Sequence, residues 1–99
     1  MKNNEQLLTP RSNVLKKYLL GNLEEGAKEQ LEKILLQSHL LYEKLEVVEE
    51  ELIQDYVDGK LSQEEIILFE NNFILAGDRK EKLKIAQAIR KSRDTLSGS

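Results

Sequence analysis

The sequence contains no cysteine, and its single histidine, His39, has no second imidazole to work with. Missing thiols exclude disulfides, cysteine nucleophiles and cysteine-based zinc sites together. With one proline and five glycines in 99 residues, little interrupts long helices. No apolar run approaches the length a bilayer span requires, and no basic-then-apolar stretch opens the chain. A cytoplasmic location with no membrane contact within this segment is therefore expected. A formal net charge of -3 argues against nucleic acid as the main partner, because phosphate neutralisation dominates such binding. There is no glycine-rich phosphate loop. What the sequence does contain is 33% charged and 39% hydrophobic residues, the balance of a soluble, helix-rich single domain.

In chain order, residues 1–8 carry no helical period and are expected to be a flexible N-terminus, followed by a helical domain over 9–94. Thr9 and Pro10 suit a helix start, and Val14, Leu15, Tyr18 and Leu19 follow as one apolar face until Gly21. Asn22 with Glu25 predicts the cap of a second helix ending near Gln37, its inner face being Ala27, Leu31, Ile34 and Leu35. Gly26 in its first turn has no reading beyond close packing. Ser38 predicts the cap of a long third helix to about Asp58, with Leu41, Leu45, Val48, Leu52 and Tyr56 as its stripe. Its outer face is acidic. Ser62 and Glu65 form a capping-box signature for a fourth helix over about Gln63–Leu75, burying Ile66, Phe69, Phe73 and Ile74. Asp78 opens a fifth helix with Leu83, Ile85, Ala86 and Ile89 inward and a basic outer face, and 95–99 reads as a polar tail or linker.

A shift of 38 residues superposes the chain on itself. It pairs Tyr18, Gly21 and Leu23 with Tyr56, Gly59 and Leu61, and Glu32 with Glu70. Glu43, Lys44 and Leu45 fall on Glu81, Lys82 and Leu83, while Leu31 and Leu35 fall on Phe69 and Phe73. Matches at cap, turn and core positions imply a repeated three-helix unit, about 14–52 and 52–90, sharing the long helix. Neither unit has much apolar area of its own, so the copies are expected to stack. The predicted fold is all-α: a small bundle of about five helices built from two stacked three-helix repeats around a long central helix.

The run Leu52-Ile53-Gln54-Asp55-Tyr56-Val57-Asp58-Gly59-Lys60-Leu61-Ser62-Gln63-Glu64-Glu65, followed by Phe69-Glu70, resembles the front half of the bacterial zinc-binding anti-sigma domain. The resemblance covers roughly residues 14–90. That family continues with His-x3-Cys-x2-Cys, whose positions fall here on Asn72, Ala76 and Arg79, and in the first copy on Ile34, Ser38 and Leu41. None of these replaces a thiolate or imidazole ligand, so the expectation is two degenerate copies with no metal and no other cofactor. Apolar residues such as Phe73 and Leu41 would then take over the metal's role as staple.

The resemblance implies a non-catalytic regulatory module that holds a helical protein partner, with a sigma factor as the family-typical case. The alternative is a homotypic adaptor or assembly module attached to a larger signalling or effector protein, with self as partner. A solvated face is the plainer reading of Glu49-Glu50-Glu51, since consecutive residues point in different directions around a helix. The charge split between 43–58 and 79–93 nevertheless makes the acidic face of the long helix a contact candidate, at Glu46, Glu50 and the neighbouring Asp55.

Overall fold

A computed structural model describes the backbone over residues 11–97 and the side chains as far as Arg93. Residues 1–8, Thr9, Pro10, Gly98 and Ser99 lie outside the described residues. Within them the fold is all-α, with helices α1 (Ser12–Leu20), α2 (Glu25–Gln37), α3 (His39–Val57), α4 (Gln63–Asn71) and α5 (Arg79–Ser97). A 3-10 turn, Phe73–Leu75, follows α4, and no strand occurs among the described residues. The chain divides between Glu50 and Glu51, inside α3, into two compact units. No helix of the described residues is long and apolar enough to cross a membrane.

The first helix begins at Ser12 with Arg11 as its N-cap, and the cap makes no side-chain hydrogen bond. It buries Leu15, Leu19 and Leu20. The second helix starts from Glu24, not from an Asn22–Glu25 box, and again without a side-chain cap. The shift of 38 places Glu24 opposite Ser62, so the repeat itself locates this cap, whereas the local Asn-x-x-Glu pattern is two residues out of register. Only Leu31 of α2 is buried; Ile34 and Leu35 are half-buried and Ala27 is exposed. A Cβ built on Gly26 meets nothing within 4 Å, so close packing does not explain this glycine.

Ser38 caps α3 by accepting the Leu41 N–H at 3.2 Å. At 1.5 Å per residue this 19-residue helix is about 28 Å long. Leu41, Val48, Leu52 and Ile53 are buried along it. The capping box of α4 is complete: the Glu65 N–H donates to Ser62 Oγ at 3.2 Å, and the Ser62 N–H donates to Glu65 Oε1 at 2.9 Å. The α-helical part of this segment stops at Asn71, short of Leu75. Asparagine competes with the helical backbone through its own side chain, and Asn72 leaves the helix at φ -127° before the 3-10 turn seats Phe73 at 0% exposure.

The last helix continues through Ser97, three residues beyond Asp94 and into the stretch set apart as a tail. Its inner stripe also differs from expectation. Leu83 and Ala86 are half-buried, whereas Ile85 is 58% and Ile89 54% exposed. Arg79 at its start and Arg90 in its second half are half-buried on the same side as Leu83 and Ala86.

Candidate functional site

The two Tyr-x-x-Gly segments end α1 and α3 in one geometry. Gly21 sits at φ 78° and Gly59 at φ 72°, the left-handed region in which glycine carries no Cβ penalty. In the first joint the Gly21 N–H donates to the Tyr18 carbonyl at 3.1 Å and the Asn22 N–H to that of Lys17 at 2.9 Å. In the second, Gly59 donates to Tyr56 at 3.2 Å and Lys60 to Asp55 at 2.8 Å. This paired bonding satisfies carbonyls that a helix end leaves without partners. Leu61 is buried after the second joint, and Leu23 half-buried after the first.

Each joint is tied to the helix that follows by a bond not read from the sequence. Tyr18 donates its hydroxyl to Glu32 Oε2 at 3.0 Å, and Tyr56 donates to Glu70 Oε2 at 2.5 Å. Both bonds span 14 residues. The signal was present in the repeat, where Tyr18/Tyr56 and Glu32/Glu70 are both kept at that spacing. The Glu70 hydrogen bond, partial burial and the Glu70 charge all raise the Tyr56 hydroxyl above its ordinary value of 10.0.

Around the second joint the chain builds a ladder of rings. Tyr56 stacks on Phe69 with centroids 4.2 Å apart, Phe69 on Phe73 at 4.8 Å, and the Arg79 guanidinium lies 4.1 Å above the Phe73 ring. Arg79 Nη1 also donates to the Phe73 carbonyl at 2.9 Å, so one side chain staples the 3-10 turn to the start of α5. The corresponding positions of the first unit, Leu31, Leu35 and Leu41, are aliphatic. Arg79 and Leu41 thus occupy the last of the three positions where the zinc-binding family has ligands. Among the described residues no group of three or more His, Cys, Asp or Glu is placed to hold a metal ion.

Arg90 closes the end of α3. Its Nη1 donates to the Val57 carbonyl at 3.1 Å and to Asp58 Oδ1 at 2.6 Å. A cation there complements the negative end of the helix dipole. Both Asp58 carboxylate oxygens also accept from Gln54 Nε2, each at 3.2 Å. The Gln54 hydrogen bonds first, then the charges of Arg90 and Lys60, hold its carboxyl below the ordinary 3.8 against the opposing effect of burial. An open groove of about 710 Å³ lies beside this clamp, bordered by Tyr56 and Val57, Ile66 and Glu70, and Arg90 and Lys91.

The three sequence-derived contact candidates do not share one surface. Glu46 and Glu50 are exposed and one turn apart on α3. Asp55 is half-buried at the glycine joint, about 140° around the helix from Glu50. Glu43 is exposed and extends the Glu46–Glu50 row, with His39 Nε2 3.2 Å from its carboxylate. Beside that row Leu40 is 78% and Val47 54% exposed, which makes an apolar strip with an acidic margin. These exposed apolar positions were not singled out in the sequence, because periodicity alone does not say which of several apolar residues a helix leaves outside. No family model, curated protein or solved structure matches this chain.

Proposed function

We propose that this chain is a non-catalytic regulatory module that holds a helical protein partner, in the manner of an anti-sigma domain without its zinc. The carrying observation is the outer face of α3, where exposed Leu40 and Val47 run beside exposed Glu43, Glu46 and Glu50. Exposed apolar residues bordered by charge favour docking of another helix: the apolar strip supplies burial, and the carboxylates supply steering and register. The resemblance of 52–70 to the anti-sigma front half makes a sigma factor the first partner to try. Asp55, half-buried and on another side of the helix, lies outside this surface, so Glu46 and Glu50 carry the contact.

The test is light scattering and titration calorimetry with purified sigma factors from the same organism. The reading expects a stoichiometric complex that weakens as salt rises and weakens further for Glu46→Lys, Glu50→Lys. A complex insensitive to these substitutions and to salt removes α3 as the contact face. The absence of any complex removes the sigma factor as partner.

A further inference from the structure

The outward strip of α3 has two unlike edges. Successive helical residues turn by about 100°, so Leu40 and Val47, both exposed, share one line along the helix. Glu46 comes one residue before Val47, and Glu43 and Glu50 come three residues after Leu40 and Val47. All three carboxylates therefore lie on one flank, each about 60–100° to the same side of its aliphatic neighbour. The opposite flank begins one residue after each aliphatic, at Leu41 and Val48, and both of these are buried. Lys44, half-buried, lies on that side as well. Neither Glu46 nor Glu50 meets a cation among the described residues. One edge of the strip is thus an unneutralised acidic row, and the other turns into the protein's own core.

We infer that the occupant of this strip is a basic amphipathic helix with its cations along one flank, and that this flank sets the direction in which it lies. The inference rests on the reading of α3 as a docking surface and adds the partner's chemistry. Apolar residues of the partner at helical spacing cover Leu40 and Val47, while lysines or arginines along the adjoining edge meet Glu46 and Glu50. Cations on the other edge would face Lys44 and buried aliphatics. Two right-handed helices laid side by side match like flanks when antiparallel and opposite flanks when parallel. A partner whose cations come one residue before its apolar residues, as Glu46 comes before Val47, therefore lies antiparallel to α3. A partner whose cations come one residue after them lies parallel.

Two synthetic helical peptides of about 20 residues test this in the full chain. They share one composition, with leucines at helical spacing, and differ only in whether each lysine comes one residue before or one after a leucine. Because the chain has no cysteine, Gln37→Cys, exposed just before α3, takes a single donor dye. Each peptide carries the acceptor at its N-terminus, and at about 30 Å long it places that dye at one end of α3 or the other. Both peptides should bind at low salt, with weak energy transfer for lysine-before and strong transfer for lysine-after. Binding should fade at high salt and weaken roughly tenfold or more for Glu46→Lys, Glu50→Lys. That variant should instead bind peptides with glutamate in place of lysine, which also shows that it folds. Equal transfer from the two peptides overturns the flank rule. Equal binding of the glutamate peptides by the unchanged chain overturns charge as the selector. No binding of either lysine peptide overturns the basic helix as occupant, while a sigma-factor complex still sensitive to Glu46→Lys, Glu50→Lys would keep α3 as the docking face.

Discussion

Two glycines with equally empty surroundings should respond to alanine with opposite signs. A Cβ on Gly26 or on Gly59 meets nothing within 4 Å, so neither substitution creates a clash. What differs is the backbone. Gly59 holds φ 72°, where an L-residue costs about 1–2 kcal/mol, while Gly26 lies in the first turn of α2. Loss of glycine's freedom in the unfolded chain favours either replacement by about 0.4–1 kcal/mol. Gly59→Ala should therefore lose a net of about 1 kcal/mol, and Gly59→Val up to about 2, since branching at Cβ narrows the allowed region further. Gly26→Ala should gain about 0.5–1 kcal/mol. Thermal and urea unfolding resolve this, because 1 kcal/mol moves the melting temperature of a domain this size by about 4–8 °C. Gly21→Val should follow Gly59→Val, its φ being 78°. A Gly59→Val chain that melts unchanged, or alanine shifts of the same sign at 26 and 59, would refute the reasoning.

Other perturbations test the ties around the joints. A double-mutant cycle of Tyr56→Phe with Glu70→Gln should give a coupling of about 0.5–1 kcal/mol, and Tyr18→Phe with Glu32→Gln somewhat more because that pair is better buried. The raised Tyr56 hydroxyl contributes stability that is complete below pH 10.0 and lost as pH rises through its higher folded value, so Tyr56→Phe should flatten the alkaline limb. Asp58 has the opposite sign. Its contribution is present above the ordinary 3.8 and lost as pH falls through the lower folded value, so Asp58→Asn should flatten the acid limb of a melting-temperature profile. Installing Ser at Glu24 and Glu at Ala27 copies the Ser62–Glu65 box into the first unit and should stabilise α2 by about 1 kcal/mol; unchanged melting would mean that α2 does not start at Glu25.

The glycine joints, the long α3 stripe and the Ser62 box were legible because each is set by a local rule: a positive-φ residue, a 3.6-residue period, a side chain three residues from its partner. The cap of α2 was misread by the same kind of rule, since Asn22 and Glu25 have suitable types in the wrong register. The end of α4 was misread because Phe73 and Ile74 prolong the apolar pattern whether or not the backbone remains α-helical. Least legible was α5. Its apolar residues invite an inward Ile85–Ile89 face, yet the shift of 38 places Arg79 on Leu41 and Arg90 on Leu52, at the inner positions. Long side chains with charged ends can take such positions when a ring and a helix terminus receive them, and those receivers, Phe73 and the Val57–Asp58 end of α3, are tertiary facts.

The central claim is that the outer charge of α3 serves binding and not the fold. The most direct measurement is the association of the Glu46→Lys, Glu50→Lys chain with a purified sigma factor at low salt, read beside its melting temperature. The account predicts association weakened roughly tenfold or more, with a melting temperature that barely moves, because exposed charges contribute little to stability. A variant that melts several degrees lower yet associates as before would contradict it, and would assign these carboxylates to the fold.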